Sequence, residues 1–289
     1  MNPTRILLLA TLLGTASAQV PTTRPIDPQK AEQARRLLLQ DLRSRGVELD
    51  LERGTVAIPI QINDPPPPDP IEYLLVHHRG KKHEAVFVTE VKASLLNGAL
   101  LLLGFQNGKN ARVEAKEPAP TPAEIERGAP IVDVFPPEGM AIHMTAIREV
   151  EGGSKREDPI DDYLIDLATG QPVESASWIY LGGRMSPLYR GEPPVFVGDY
   201  EGNLVSSCYM SPENHLVTIR HTRGGDDHNW VINPAVCPPP GTKLTLVFHK
   251  TQPKVSAERD ARLAAEAKRR AATQPASQPT SSGPQGSGK

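Results

Sequence analysis

Proline is the feature of this sequence that most restricts its fold, because the chain contains 30 prolines together with 23 glycines. Proline fixes φ and lacks an amide donor, so it interrupts helix interiors and central strands. The run DPPPPDP at residues 64–70 therefore predicts a stiff polyproline connection. Aromatic residues make up only 4% of the chain, so we expect a core of leucine, valine and isoleucine between many turns.

The N-terminal segment MNPTRILLLATLLGTASA, residues 1–18, has the pattern of a secretory signal peptide. One basic residue precedes an apolar run, and small residues precede the cleavage point. The apolar run is shorter than the roughly 20 residues that a permanent membrane anchor needs. We expect cleavage between Ala18 and Gln19 and a secreted or periplasmic protein; a buried N-terminal helix is the alternative.

Charge and cysteine content restrict the partners and the bonding of the mature chain. The net charge is −2, which provides no general attraction for nucleic acid or an anionic membrane. In an oxidising compartment, Cys208 and Cys237 are expected to form a disulfide. The alternative is a pair of buried free thiols, since an unpaired cysteine behaves as a small apolar residue.

The pattern of the mature chain indicates an α+β fold, with a mostly antiparallel sheet, one buried core helix at about 93–105, and peripheral N- and C-terminal helices. The expected divisions are a signal peptide at 1–18, a linker and helix at 19–46, one α+β domain at 47–250, and a charged helix with a low-complexity tail at 251–289.

Local patterns support these divisions. An aspartate–proline pair at 27–28 is typical of a helix start, and Gly46 of a helix end. VELDLERGTVAIPIQI alternates around a turn at 52–55, which predicts a β-hairpin. Further strands are expected within residues 139–147, 162–173, 177–183, 203–210, 215–222 and 243–249, and a helical turn within 122–127. The polar segment 149–162 is expected to be an exposed loop, and the helix at 256–272 a solvated one, since it has almost no apolar face.

The segment IEYLLVHHRGKKHEAVFVTEV, residues 71–91, carries the candidate site. A two-residue turn at Gly80 and Lys81 predicts a second hairpin, in which His78 faces His83 and His77 faces Glu84. Both faces are apolar deep in this hairpin and polar near its tip. The tentative binding residues are therefore His77, His78, His83 and Glu84.

Three interpretations of this tip remain open. It is a polar rim with a His77–Glu84 ion pair; a metal site on His78 and His83; or a basic tip that binds an acidic surface. A metal site needs three or four ligands, and the hairpin supplies two on one face. Candidates for the missing ligands are His143, His215, His221, Asp226, Asp227 and His228. No metal or other cofactor is assigned.

Several ordered pieces of sequence resemble the YdjY-type domain of secreted bacterial proteins, many of them from planctomycetes. These pieces are VELDLERGTVAIP, the GKKHE string at 80–84, ALLLLG at 99–104, WIYLGG at 178–183, and PPGT at 239–242 followed by LTLVF. The resemblance covers residues 47–250 and implies domain identity without an activity. Some members carry iron–sulfur names, but two cysteines cannot supply four thiolates within one chain.

Other motifs for catalysis are weak. No G-x-S-x-G elbow is present, a thiol nucleophile at Cys208 would need a histidine brought near by the fold, and Asp158, Asp161 and Asp162 lack EF-hand spacing. The first hypothesis is a non-enzymatic extracytoplasmic binding or structural module, with an extracytoplasmic protein as its partner. The alternative is a metal-binding protein or metal-dependent hydrolase that uses His78 and His83.

Overall fold

The computed structural model describes residues 28–68, 70–174 and 177–273. The predicted signal peptide and the low-complexity tail after residue 273 lie outside the described residues. The chain divides into two compact units, residues 1–38 and 39–289, and the boundary falls within the first helix, Pro28–Ser44. Gly46 follows this helix with φ of 83°, which confirms the predicted glycine helix end.

The unit at 39–289 combines strands with helices of different lengths. The helices are α1 Pro28–Ser44, which begins in the other unit, α2 Ala93–Leu102, α3 Pro122–Glu126, α4 Val197–Glu201 and α5 Lys254–Thr273. The strands are β1 Glu48–Asp50, β2 Thr55–Ile62, β3 Tyr73–His77, β4 Ala85–Thr89, β5 Arg112–Ala115, β6 Val132–Phe135, β7 Ala141–Glu149, β8 Lys155–Pro159, β9 Leu164–Asp166, β10 Gln171–Pro172, β11 Ser177–Tyr180, β12 Met185–Ser186, β13 Val195–Phe196, β14 Asn203–Ser206, β15 Val217–Arg220, β16 Trp230–Ile232 and β17 Lys243–His249. Two 3-10 turns lie at Lys82–Glu84 and Ile160–Tyr163.

Eight strands close into a barrel in the order β2, β17, β7, β11, β15, β14, β3 and β4, and β4 then pairs with β2. The mixed α+β class is confirmed, and the predicted hairpin β1–β2 forms with Leu49 opposite Val56. The sequence predicted a sheet but did not predict that this sheet closes into a barrel. Alternating apolar residues occur in open and closed sheets alike, so the pattern alone could not show that β2 and β4 would meet.

The largest fully buried side chains belong to Trp178, Trp230, Tyr73, Tyr163 and Tyr180. Helix α2 contacts β2 and α4, and Leu96 and Leu100 are fully buried. Its opposite face is open, because Leu101 and Leu102 are 45% and 47% exposed. The expectation that this helix is buried on nearly all sides was therefore wrong for one face. None of the described helices combines the length and apolarity needed to cross a membrane.

The predicted hairpin at residues 73–88 was also wrong. Strands β3 and β4 run parallel, with Tyr73 opposite Ala85 and His77 opposite Thr89. The chain returns through residues 78–84 instead of turning at two residues. The second edge of each strand also forms backbone hydrogen bonds, that of β3 with β14 and that of β4 with β2. The prediction failed because the apolar pattern of a strand does not reveal its direction.

Two segments expected to be solvated are packed. Residues 155–159 form β8 against β7, and Asp158 is only 5% exposed, with the Arg156 guanidinium 2.7 Å away. In α5, the side chain of Arg259 is 2% exposed. Both errors have one cause: these polar residues are buried as ion pairs, which apolar periodicity does not detect.

Candidate functional site

The four predicted site residues lie around the β3–β4 connection, but they separate into two groups. His77 and His78 lie beside Glu90, at the carboxyl ends of β3 and β4. His83 and Glu84 line a cleft elsewhere on the connection. The predicted pairing of His78 with His83 is therefore wrong, because it depended on the antiparallel register.

The first group, which we call the histidine cluster, consists of His77, His78 and Glu90. One potential ligand atom from each residue lies within 4.8 Å of the others. The Nδ1 atom of His78 is 2.7 Å from a carboxylate oxygen of Glu90, and the two imidazole ring centroids are 4.2 Å apart. The side chains of His78 and Glu90 are 37% and 78% exposed, so the cluster is open to solvent.

Backbone hydrogen bonds fix the positions of these residues. The amide of His77 donates to the Gly202 carbonyl at 2.7 Å, and the amide of His78 donates to the Thr89 carbonyl at 2.9 Å. The Thr89 hydroxyl donates to the Pro59 carbonyl and accepts from the Val91 amide. These bonds fix Thr89 and Val91, the two neighbours of Glu90 in the sequence. The cluster therefore lies at the ends of two barrel strands.

Arg79 interacts with both imidazoles. Its amide donates to Nδ1 of His77 at 3.3 Å, and its guanidinium Nε donates to Nε2 of His78 at 3.3 Å. The latter contact leaves the proton of a neutral His78 ring on Nδ1, which lies close to Glu90 but forms no hydrogen bond with the described residues. Burial lowers the pKa of His77, and the neighbouring His78 lowers it further.

The second group lines a cleft of about 310 Å³, which we call the acidic cleft. Its walls are formed by Pro70, Glu72, His83, Glu84, Asp227 and His228. Asn63, itself 2% exposed, anchors the turn that carries two of these residues, since its amide donates to the Lys82 and Ala85 carbonyls. The amide of Glu72 donates to the Glu84 carbonyl at 3.1 Å, which brings the two glutamates side by side.

The two glutamates share one lysine. The Nζ atom of Lys81 lies 3.5 Å from a carboxylate oxygen of Glu72 and 3.4 Å from one of Glu84. Burial raises the pKa of Glu72, and so do its hydrogen bond to Glu84 and the charges of Glu84 and Asp227. Burial opposes the charge of Lys81, but the two carboxylates raise its pKa overall. Lys81 therefore does not contribute a free positive charge to a basic tip, which was one of the three interpretations of this turn, because two carboxylates neutralise it.

Of the proposed distant ligands, Asp227 and His228 approach the predicted tip, and His228 also pairs with Asp227. Asp226, Asp227 and His228 form a second group of potential ligands within one turn, and all three side chains are exposed. His143 lies opposite His249 in the β7–β17 pair, and His215 is completely buried. Sequence patterns missed Glu72 and Glu90, although each directly flanks an apolar strand that ends at the site.

A larger cleft of about 860 Å³ lies between α5 and the β9–β10 hairpin. It contains His221 and the ion pair between Asp166 and Arg223. Its remaining charged residues are two carboxylates and two guanidiniums, contributed by Glu174, Glu266, Arg262 and Arg270. This balance of charges favours no single class of ligand.

The possible nucleophiles considered among the described residues are two cysteines and two serines. Cys208 and Cys237 are free thiols, so the expected disulfide is absent, and burial raises their pKa values to about 12 and about 11. The Ser206 hydroxyl donates to backbone carbonyls of Glu72 and Cys208, and the Ser207 hydroxyl to that of Ile71. None of these bonds joins a nucleophile to a base.

Comparison with known proteins identifies no relative: no family model, no curated protein and no solved structure matches this chain.

Proposed function

We propose that the protein is a non-catalytic extracytoplasmic binding module, and that the acidic cleft receives a cationic side chain, a lysine or an arginine, of a partner protein. The observation that carries this proposal is the shortage of positive charge in the cleft. Three carboxylates, those of Glu72, Glu84 and Asp227, line it. Among the described residues one lysine, Lys81, reaches the two glutamates, and two imidazoles contact the carboxylates, His83 on Glu84 and His228 on Asp227.

The raised pKa of Glu72 supports the same conclusion. A carboxylate that lies beside other carboxylates is destabilised in its charged form, and a neighbouring cation relieves this repulsion. A cationic side chain in the cleft would therefore lower the pKa of Glu72 and gain affinity from doing so. Binding should weaken as pH falls and the carboxylates become protonated, beginning at a higher pH than for an ordinary glutamate.

A non-catalytic role is supported by the state of the nucleophiles, since the thiols are protonated at neutral pH and the serine hydroxyls donate to carbonyl oxygens. The sequence pieces that resemble the YdjY-type domain support membership in that family, which implies no activity. The N-terminal pattern supports secretion, which N-terminal sequencing of the exported chain would test by finding Gln19 first.

The cleft proposal is tested by NMR titration of the isotope-labelled full chain with a capped tri-lysine peptide and a capped tri-glutamate peptide. We expect the lysine peptide alone to shift the amide signals of residues 71–72, 83–84 and 227–228. The shifts should diminish with added salt, because the contact is electrostatic and partly exposed.

The matched variants are Glu72→Gln, which removes a cleft carboxylate, and Glu126→Gln, which removes an exposed carboxylate on α3. The first should lose most of the lysine-peptide response, and the second should retain it. Equal responses of the two variants, shifts confined to another surface, or binding of the glutamate peptide at the cleft would each overturn the proposal.

A further inference from the structure

We propose that His77, His78 and Glu90 form a binding site for a divalent transition-metal ion such as zinc. This site is separate from the acidic cleft and does not rest on the function proposed for it. Two imidazole nitrogens and one carboxylate oxygen are a donor set that suits zinc, cobalt, nickel and copper ions.

The geometry requires small side-chain movements only. Metal–nitrogen distances near 2.1 Å place the ligand atoms of a tetrahedral ion about 3.4 Å apart. The potential ligand atoms of the cluster already lie within 4.8 Å of one another. The Nδ1 atom of His78 and the Glu90 carboxylate, now 2.7 Å apart, would separate slightly to admit the ion, and both side chains are exposed enough to move.

Ion binding would require a change of tautomer at His78. In the structure, Nε2 of His78 accepts from Arg79, so a neutral ring carries its proton on Nδ1, which lies 2.7 Å from the Glu90 carboxylate and has no hydrogen-bond partner among the described residues. An ion at Nδ1 takes the position of this proton while Nε2 takes one up, so the neutral ring changes tautomer without a net loss of a proton, and the ion also contacts the Glu90 carboxylate. The carboxylate supplies a negative charge that a pair of histidines alone would lack.

The scaffold is held ready for ion binding. Gly80 turns the chain after the cluster, with its amide 2.7 Å from the His77 carbonyl. A Cβ on Gly80 would lie 2.6 Å from the Gly202 carbonyl oxygen, so the two segments cross at backbone contact. The Gly202 carbonyl also accepts from His77. Ligands held by such backbone contacts lose little conformational freedom when they bind an ion.

Arg79 opposes the ion in this arrangement. Its guanidinium donates to Nε2 of His78, but that atom must carry the proton once Nδ1 binds the metal. The guanidinium must therefore move away, and its positive charge repels the ion as well. Removal of Arg79 should consequently strengthen binding, an effect that adventitious binding at any exposed histidine would not show.

The test is titration of the untagged full chain with zinc chloride by calorimetry, and with cobalt chloride by visible absorption. We expect one high-affinity ion per chain. His78→Ala and Glu90→Gln should each weaken zinc binding by at least about tenfold, whereas Arg79→Ala should tighten it several-fold. Circular dichroism confirms that each variant is folded.

His83→Ala and His228→Ala serve as controls, because both residues lie in the acidic cleft, and both should bind zinc like the original chain. The proposal is overturned if the original chain binds no zinc, if affinity is lost in His83→Ala or His228→Ala instead, or if His78→Ala retains full affinity. Arg79→Ala with unchanged or weaker binding would overturn the coordination through His78 Nδ1.

Discussion

Asp199 caps helix α2 from a distant part of the chain. Its Oδ1 atom accepts a hydrogen bond from the Ser94 amide at 2.8 Å, and its Oδ2 atom accepts one from the Ser94 hydroxyl at 2.6 Å. The residue at the N-cap position, Lys92, makes no side-chain capping bond. A carboxylate at this end also complements the helix dipole. Asp199 therefore supplies the N-terminal side-chain cap that the residues next to the helix do not provide.

Replacement of Asp199 by alanine should therefore lower the free energy of unfolding by about 1–2 kcal/mol, the usual cost of losing a helix cap. Asp199→Asn keeps one acceptor and should lose less. Urea unfolding followed by circular dichroism measures both changes. Asp133→Ala, at an exposed carboxylate on β6, is the control and should have little effect; an equal loss in both alanine variants would contradict the assigned cap.

The cap illustrates which parts of the fold the sequence could predict. Local signals gave the right answer where the partner is near in sequence: the β1–β2 hairpin and the end of α1 at Gly46. The closure of the barrel depends on contacts between β2 and β4, whose register joins Gln61 to Val88. No periodicity in either strand specifies that partner.

The sequence likewise predicted one part of the candidate site and missed another. The sequence drew attention to the right segment, because four titratable residues interrupt two apolar strands. It gave the wrong geometry, since the direction of β4 decides whether His78 meets His83 or Glu90. Glu72 and Glu90 were missed because a single glutamate beside a strand is a common solvent-facing residue, and only the parallel register places each one at a cluster.

Gly80 should not tolerate a side chain. A Cβ would lie 2.6 Å from the Gly202 carbonyl oxygen, and neither backbone can yield easily, because Gly202 is itself in the left-handed region with φ of 76°. We expect Gly80→Ala to lower the free energy of unfolding by about 1–3 kcal/mol, as other overpacked substitutions do. Thermal and urea unfolding measure this loss.

Gly98→Ala is the matched control for that substitution. Gly98 lies within α2, and an added Cβ there meets nothing within 4 Å. Since alanine favours helix more than glycine does, this variant should be more stable by about 0.5–1 kcal/mol. We expect the free energy of unfolding to fall in Gly80→Ala and to rise in Gly98→Ala. No change in Gly80→Ala would mean that the segments of Gly80 and Gly202 are less tightly packed than the structure indicates.

Arg259 is a buried residue of α5 that joins this helix to the remainder of its unit. Its guanidinium donates to the Asp162 carboxylate and to the Val173 carbonyl. The adjacent Asp161 accepts from the Trp178 indole at 3.0 Å, and burial raises the pKa of Asp161 to about 6 although the Arg259 charge lowers it. Removal of the guanidinium would leave two carboxylates without their cation.

Arg259→Ala should therefore lower the free energy of unfolding by about 3–5 kcal/mol, as found when one partner of a buried ion pair is deleted. Arg262→Ala removes an exposed arginine from the same helix and should change stability by less than about 0.5 kcal/mol. Hydrogen exchange of the α5 amides should rise in Arg259→Ala alone. Similar stabilities of the two variants would show that the buried arginine does not hold the helix.

His215 should make the protein less stable in mild acid. The imidazole is fully buried; Nδ1 lies 3.0 Å from the Asn214 side-chain oxygen, and Nε2 has no partner among the described residues. Burial lowers the pKa of His215 to about 3. In the unfolded chain this histidine has an ordinary pKa of about 6.5. In mild acid the unfolded chain therefore binds a proton that the folded chain does not bind.

The contribution of His215 to stability is therefore complete above the unfolded pKa and declines as pH falls towards the folded one. Between pH 7 and pH 5 the loss should be about 2 kcal/mol from this residue. His215→Gln has no titrating group there, so its free energy of unfolding should fall less over the same interval. Urea titrations of both proteins at several pH values measure the difference in slope. Parallel pH profiles would mean that His215 accepts its proton in the folded protein.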